Sequence, residues 1–217
     1  MGYNLATMSQ LQHADSVDSI LKRVDDFYMK TGPVHETLRE LARRLPEEGI
    51  DYAVIGGMAL ALHGFVRPTQ DVDLLMTTAG LERFRAQLVG RGYVPLFEGA
   101  RKHFRDAATG VKVEILTTGE YPGDGQPKPV AFPDPSEAAI QIDEVRVATL
   151  DVIVELKLAS GLSAEHRKLR DLADVQQLIE VLKLSADLAD RLDSSVQAEY
   201  LRLWRLAQQS LEDQSEA

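Results

Sequence analysis

A mixed α/β fold (α/β or α+β), with one β-sheet flanked by helices from both ends of the chain, is what this sequence predicts, and three observations carry the prediction. Apolar residues recur at helical spacing near the N-terminus and again through the last third of the chain. Between these regions lie short apolar runs of strand length, at Tyr52–Ile55, around Asp71 and Asp73, and over residues 111–117. The runs are separated by helical stretches, one of them opened by Gly56-Gly57, and that alternation builds a mixed sheet with crossover helices.

Taken in order, residues 10–29 place Leu11, Val17, Ile20, Leu21, Val24 and Phe27 at mostly helical spacing, which predicts an amphipathic helix. Pro33 opens a second helix with Leu38, Leu41 and Leu45 along one face, and Glu47-Glu48-Gly49 ends it ahead of the Tyr52–Ile55 strand. Gly56 and Gly57 begin a short Ala/Leu helix. After the strand carrying Asp71 and Asp73, Thr77 or Thr78 caps a helix through Leu81, Phe84, Leu88 and Val89 to Gly90 or Gly92.

Residues 102–106 and 111–117 read as a hairpin around Ala108-Thr109-Gly110. Residues 119–135 are dense in Gly and Pro and read as a loop, and a strand pair around residues 139–147 follows. Thr149 is expected to cap an apolar helix from Leu150 that stops at Gly161. Ser163 then starts another, with Leu169, Leu172, Val175, Leu178, Ile179 and Leu182 facing a core. A last helix over residues 186–211 carries Tyr200, Trp204, Ala207 and Leu211 as a stripe, read as internal core rather than a partner surface. The expected organisation is N-terminal helices packed on the core (1–50), a central sheet body (51–148) and a C-terminal helical region completing the site (149–217).

At 217 residues the chain is long enough to bury a real core. It has no apolar run that could span a bilayer, and residues 1–10 do not read as a signal peptide. With no cysteine there are neither disulfides nor thiolate metal sites, which fits a cytoplasmic setting. The net charge of −10 argues against broad nonspecific binding to DNA or RNA. Arg101, Lys102, Arg105 and Lys112 form either a local basic groove or a solvated hairpin face.

The chemistry concentrates in residues 52–76. Asp71 and Asp73 are two apart on a strand and so point to one face. Two carboxylates side by side are costly unless a positive charge lies between them, and a divalent metal is the natural candidate. A Gly-Gly turn close by lets backbone approach phosphates, so the pair of features points to phosphoryl or nucleotidyl transfer. In the 111–117 arm, Lys112, Glu114 and Leu116 share a face opposite Val111, Val113 and Ile115. If that arm pairs beside the Asp strand, Glu114 joins as a third carboxylate and completes the charge of a metal site; the alternative is a solvated strand glutamate.

Gly56-Gly57, about a dozen residues, then Asp71-x-Asp73 resembles the nucleotidyltransferase superfamily with the DNA polymerase β-like palm. Arg67-Pro68-Thr69-Gln70-Asp71-Val72-Asp73 is similar to the Arg-x-Thr-x-Asp-x-Asp signature of the AbiEii/AbiGii-type nucleotidyltransferases, among them toxins of toxin–antitoxin pairs. Val154-Glu155-Leu156-Lys157-Leu158-Ala159 and the segment Arg167-Lys168-Leu169-Arg170-Asp171-Leu172-Ala173-Asp174 resemble that family's later motifs, so the resemblance spans residues 52–179. It implies a nucleotidyltransferase-type sheet moving a nucleoside monophosphate from an NTP to an acceptor hydroxyl, on RNA such as tRNA or on a small molecule. It implies Mg²⁺, or Mn²⁺ in its place, on Asp71 and Asp73. By the same resemblance the backbone of Gly56 and Gly57 meets the triphosphate and Lys157 meets the phosphates. Asp171 organises the site, and Arg67 and Thr69 brace the turn or touch the nucleotide. An antitoxin protein is the partner it implies.

Three departures stand out. Gly57 occupies a position that is Ser in many relatives, Arg170 replaces the lysine before the aspartate, and Glu114 is one methylene longer than the usual Asp. Asp174 reads as a solvated helix face, His63 as structural, and His103 and His166 have no metal-ligand spacing. A catalytically inactive nucleotide-binding or protein-interaction module of the same fold is the competing reading. A phosphatase using Asp-x-Asp at a strand end is disfavoured by Leu74 and Leu75.

Overall fold

A computed structural model describes residues 30–215, with side chains described through residue 210. The helix expected over residues 10–29 lies outside the described residues. The described chain begins with α1 (Pro33–Glu47), β1 (Tyr52–Ile55), α2 (Gly56–Leu62), β2 (Asp71–Met76) and α3 (Thr78–Leu88). The central part holds β3 (Tyr93–Pro95), β4 (His103–Asp106), β5 (Lys112–Thr117), the short α4 (Pro135–Ala138), β6 (Ala139–Ile142) and β7 (Val145–Ala148). It closes with α5 (Leu150–Ser163), α6 (Glu165–Leu182), a 3₁₀ turn (Ala186–Arg191) and α7 (Ser194–Ser215).

The strands form one seven-stranded mixed sheet in the order β3-β4-β5-β2-β1-β7-β6. β1 and β2 are antiparallel, whereas β2 runs parallel to β5 and β1 parallel to β7. The fold class is therefore the mixed α/β arrangement expected from the sequence. Alternation along the strands splits the sheet into two faces. On one, Val72, Leu74, Val113, Ile115 and Phe104 are buried. Phe84 of α3 stacks there against Phe104 and Tyr93, at ring-centroid distances of 5.0 and 5.4 Å. The Thr37 hydroxyl of α1 donates to the buried Asp106 carboxylate at 2.9 Å. The other face carries Asp71, Asp73 and Glu114, and Ile153, Leu156 and Lys157 of α5 line a cleft with Asp73 and Glu114.

Local signals explain most boundaries. Thr77 caps α3 by accepting from the Gly80 N–H at 3.0 Å. Pro33 stands at the first position of α1, where its missing N–H costs nothing. Three boundaries or faces differ from the sequence reading. α5 does not stop at Gly161 but continues to Ser163. Gly161 is inside the helix because α6 packs against it: a Cβ there would meet the Leu172 side chain at 2.9 Å. α6 starts at Glu165, and Leu169, expected in the core, is 87% exposed. The last helix is interrupted, with the 3₁₀ turn first and α7 beginning at Ser194. There Asp193 accepts from the Ser195 N–H at 2.9 Å while Glu155 of α5 accepts from the Asp193 N–H, so side chains satisfy the new helix start. The Tyr200, Leu203 and Ala207 stripe is buried, with the Tyr200 hydroxyl donating to the Ser185 carbonyl and Trp204 Nε1 to the Leu184 carbonyl. Among the described residues no helix is long and apolar enough to cross a membrane.

Candidate active site

β1 ends at Ile55, and the chain turns into α2 through Gly56, whose φ of +66° suits glycine. A Cβ on Gly56 would collide with the Asp73 carboxylate, and one on Gly57 would lie 2.8 Å from Thr69 Oγ1. The turn thus brings bare backbone against the acidic strand. It also explains why Gly57 is not Ser: the Thr69 side chain fills the space a serine would need. The Thr69 hydroxyl in turn donates to Asp71 Oδ1 at 2.6 Å.

The β2–β5 pairing is parallel, with Asp71 opposite Lys112 and Asp73 opposite Glu114. The antiparallel β4–β5 hairpin extends both rows, setting Arg105 opposite Lys112 and His103 opposite Glu114. Directly opposed residues share a face, so Asp73, Glu114 and His103 form one transverse row and Asp71, Lys112 and Arg105 the next. The carboxylates expected at the site are thus neighbours. Glu114 Oε1 lies 3.5 Å from His103 Nε2. Among the described residues no three Asp, Glu, His or Cys side chains are gathered tightly enough to enclose an ion by themselves. The Asp73 carboxyl is pushed up to about 7, first by burial and then by the charges of Asp71 and Glu114, against the opposing pull of Arg167 and Lys157.

A cleft of about 360 Å³ opens over this row. Gly56, Asp73 and Glu114 form its floor, and Lys157, Ser160, Arg167 and Asp171 its helical wall. The loop residues Tyr121 and Pro122 and the buried Phe132 close the third side. That loop is tied down: Gly119 N–H donates to the Phe132 carbonyl at 2.9 Å, Lys128 pairs with Asp124, and Lys128 Nζ donates to Ser163 Oγ at 3.0 Å.

The helical wall is a closed charge network. Lys157 Nζ, 12% exposed, contacts Asp171 Oδ1 at 3.2 Å and Asp174 Oδ2 at 2.6 Å. Asp171 also accepts from Ser160 Oγ at 2.6 Å and Arg167 Nε at 3.2 Å, and Asp174 from Arg67 Nη2 at 3.1 Å. Burial pushes the Asp171 carboxyl up, but Lys157, the Ser160 hydroxyl and Arg167 outweigh it and hold it below the ordinary carboxylate value. Arg67 Nε is buried with no hydrogen-bond partner among the described residues.

Of the residues singled out from sequence, Gly56, Asp73, Glu114, Lys157 and Asp171 line the cleft. Asp71, Thr69 and Gly57 brace its floor, and Arg67 stands behind the helical wall. One expectation is overturned. Asp174 is not a solvated face but 5% exposed and doubly paired, because α6 turns that side toward Lys157 and Arg67. Arg170 points to solvent, and the cation that reaches the cleft from this helix is Arg167. Ser160, Arg167, His103 and Tyr121 were missed. The hairpin turn at 108–110 already paired residue 103 with 114, and Arg167 is one helical turn before Asp171, so two of the four had a sequence signal. His63 is structural, its Nε2 lying 2.8 Å from the Ala148 carbonyl.

Residues 2–212 match the model of a family described as uncharacterised nucleotidyltransferases, and the chain belongs to that family. No curated protein matches it. Among solved structures it is similar to a Thermotoga maritima protein assigned as a candidate nucleotidyltransferase, at 21% identity, covering 64% of this chain and 91% of that one with a TM-score of 0.43. It is similar to JHP933 from Helicobacter pylori at 18% identity, with 83% and 94% coverage and a TM-score of 0.42. It is also similar to the antibiotic-resistance factor ANT(2'')-Ia at 12% identity, with 83% and 96% coverage and a TM-score of 0.44. At such scores these likenesses say nothing about the chemistry of this chain.

Proposed function

We propose that the protein is a Mg²⁺-dependent nucleotidyltransferase that moves a nucleoside monophosphate from an NTP to an acceptor hydroxyl. The observation that carries this reading is the uncompensated acidic row Asp73–Glu114, with Asp71 beside it, facing a cleft whose opposite wall presents Lys157 and Arg167. An all-oxygen donor set with excess negative charge suits a hard divalent cation. Asp71 and Asp73 would hold it, with Glu114 either completing the set or standing free as base for the acceptor, and Mg²⁺ commonly takes one or two carboxylates together with substrate phosphates rather than a full protein cage. When bound, Mg²⁺ (or Mn²⁺) would screen the triphosphate and stabilise charge developing on the leaving pyrophosphate.

The chain's own residues supply the rest. The Gly56-Gly57 turn brings backbone to the triphosphate. Lys157, oriented by Asp171 and Asp174, and Arg167 neutralise phosphate charge. Thr69 fixes Asp71, and Arg67 fixes Asp174 from behind. The acceptor oxygen bonds to the α-phosphorus, the bond to the bridging oxygen breaks, pyrophosphate leaves, and the hydroxyl proton passes to Glu114. The division into N-terminal helices, a palm-like body over 51–148 and a helical region from 149 onward that completes the site is part of this reading.

Within the superfamily, Arg67-x-Thr69-x-Asp71-x-Asp73 supports membership of the AbiEii/AbiGii type, acting in the cytoplasm as the toxin of a toxin–antitoxin pair. The test is pyrophosphate release from each of the four NTPs with Mg²⁺, against bulk tRNA and a panel of small hydroxyl acceptors. Acceptor-dependent release that disappears in Asp71→Ala/Asp73→Ala is the expected result. NTP binding with no release for any acceptor would instead support the inactive binding module.

A further inference from the structure

The cleft floor changes character along β5. Glu114 and Leu116 both line the cleft, two residues apart on one face of the strand and so roughly 7 Å from each other. Around Glu114 the lining is charged, with Asp73, Lys157 and Arg167. Past Leu116 it turns apolar, because the chain leaving β5 supplies Tyr121 and Pro122, and Phe132 returns beside them. A polyanion finds no partner on that part, whereas the flat, largely apolar ring of a nucleoside does. The opposite, Glu114 end is the open one: the Glu114 and His103 side chains are 45% and 44% exposed, which leaves that side to the acceptor.

A single side chain fastens the apolar wall. The loop is closed at its ends by Gly119 N–H donating to the Phe132 carbonyl at 2.9 Å and Phe132 N–H to the Glu120 carbonyl at 2.8 Å. In its middle, Lys128 Nζ donates to the Pro122 carbonyl at 2.6 Å and to Ser163 Oγ at 3.0 Å, and pairs with Asp124. Three acceptors match the three N–H donors of an ammonium group. The side chain is 15% exposed and reaches the C-terminal end of α5, where the helix dipole favours a cation. The Ser163 hydroxyl donates to the Ala159 carbonyl at 2.7 Å, so its lone pairs are free for Lys128. Beside this clasp Gly123, at a φ of +78°, packs directly on the helix: a Cβ there would stand 2.9 Å from the Ser160 carbonyl oxygen. Lys128 does not line the cleft, but Pro122 and Asp124, which it fastens, do. Ordering a long lysine side chain costs conformational entropy, so an ammonium engaged on all three donors fixes a position rather than merely solvating a loop.

We propose that Lys128 is a positioning residue for the nucleotide: by clasping the 121–125 segment to the end of α5 it holds the Tyr121–Pro122 wall against the nucleoside end of the NTP, without touching the ligand. The proposal rests on the nucleotidyltransferase reading and deepens it by dividing the cleft. Lys157 and Arg167 serve the phosphates, and the clasped wall serves the nucleoside. The clasp has a second effect of the same sign, since Lys128 cancels the charge of Asp124, a carboxylate that would otherwise face an anionic ligand.

The test is calorimetry of the full chain with Mg²⁺, giving Kd for each of the four NTPs and for inorganic tripolyphosphate, which keeps the phosphates and lacks the nucleoside. Lys128→Met/Asp124→Asn removes the clasp and leaves the net charge unchanged. It should weaken the preferred NTP about tenfold, the order of one charge-assisted hydrogen bond, and leave tripolyphosphate affinity as it was. Gly123→Ala keeps Lys128 but lifts the wall off α5 from the packing side, and it should show the same split. Unchanged tripolyphosphate affinity also establishes that the charged half of the cleft is folded in both variants. With an acceptor in hand, KM for the NTP should rise while kcat holds, as expected for binding lost remote from the reacting atoms. Unchanged NTP affinity in these variants overturns the proposal. So does equal weakening of NTP and tripolyphosphate in both, or a wild-type chain that binds tripolyphosphate as tightly as every NTP. The expected split with no pyrophosphate release for any acceptor, by contrast, leaves the clasp standing and removes the transferase reading.

Discussion

Two charged clusters face one another across the same cleft and are built in opposite ways. Around Asp171 and Asp174 the charges are matched: Lys157 bridges both carboxylates, Arg167 and Ser160 hold Asp171, and Arg67 holds Asp174. Around Asp73 they are not. Asp73 has no hydrogen bond or salt bridge from its side chain to any described residue, Asp71 has only the Thr69 hydroxyl, and Glu114 only the neighbouring His103. One cluster satisfies itself and so contributes to stability and orientation. The other is held together by the strand register against its own repulsion, and such local conflict with the rest of the fold marks functional sites.

Substitutions separate the two clusters, and the largest effect is expected at the floor. Asp73→Asn should reduce pyrophosphate release more than about a thousandfold, in the range that transition-state electrostatics supply. The same variant should raise Tm in cation-free buffer, because it removes a half-buried charge repelled by two others. A Tm that falls instead would show the floor to be as self-satisfied as the wall.

On the wall, Asp174→Ala leaves Lys157 and Arg67 short of a buried partner and should cost about 3 kcal/mol in urea unfolding, as broken buried pairs do. Gly56→Ala comes next. Its Cβ would press on the Asp73 carboxylate and strain a φ of +66°, so a loss of about 1 kcal/mol is expected together with a clear fall in turnover.

pH distinguishes the clusters as well. The Asp171 carboxyl is lower in the folded chain than in the unfolded one. The unfolded state therefore binds more protons between the two values, and stability rises with pH through that window. The contribution is complete above the unfolded value and is lost as pH falls through the folded one. Asp171→Asn should flatten this acid limb of the unfolding midpoint measured from pH 2 to 6. The smallest effect is expected at Leu169→Ser, within about 0.5 kcal/mol, since that side chain is 87% exposed.

The legible part of the fold was the part written in local pattern. Tyr52–Ile55 appeared as a strand of the expected extent, the run carrying Asp71 and Asp73 formed a strand over Asp71–Met76, and Thr77 capped its helix as its type suggests. Gly161 misled because a glycine that ends a helix and a glycine that admits a neighbouring helix are identical in sequence; only the Leu172 side chain across the interface separates the cases. Leu169 misled for a related reason: at the start of α6 the helical period continues where no described residue buries it. By type Asp174 reads as a surface residue because charge normally means solvent, and its partners Arg67 and Lys157 are 107 and 17 residues away in the chain.

What the sequence determined by itself was the chemistry available: a glycine turn that tolerates close backbone approach, two carboxylates on one strand face, and a third on an alternating arm. These follow from side-chain type and a period of two, both local properties. Tertiary structure alone decided which charges are matched and which are left over. The parallel β2–β5 register put Glu114 beside Asp73, and the packing of α6 on α5 gave Asp171 and Asp174 to Lys157. Electrostatic energies at a few ångströms depend on distances between residues far apart in the chain, so the balance of the site is fixed only when those segments meet.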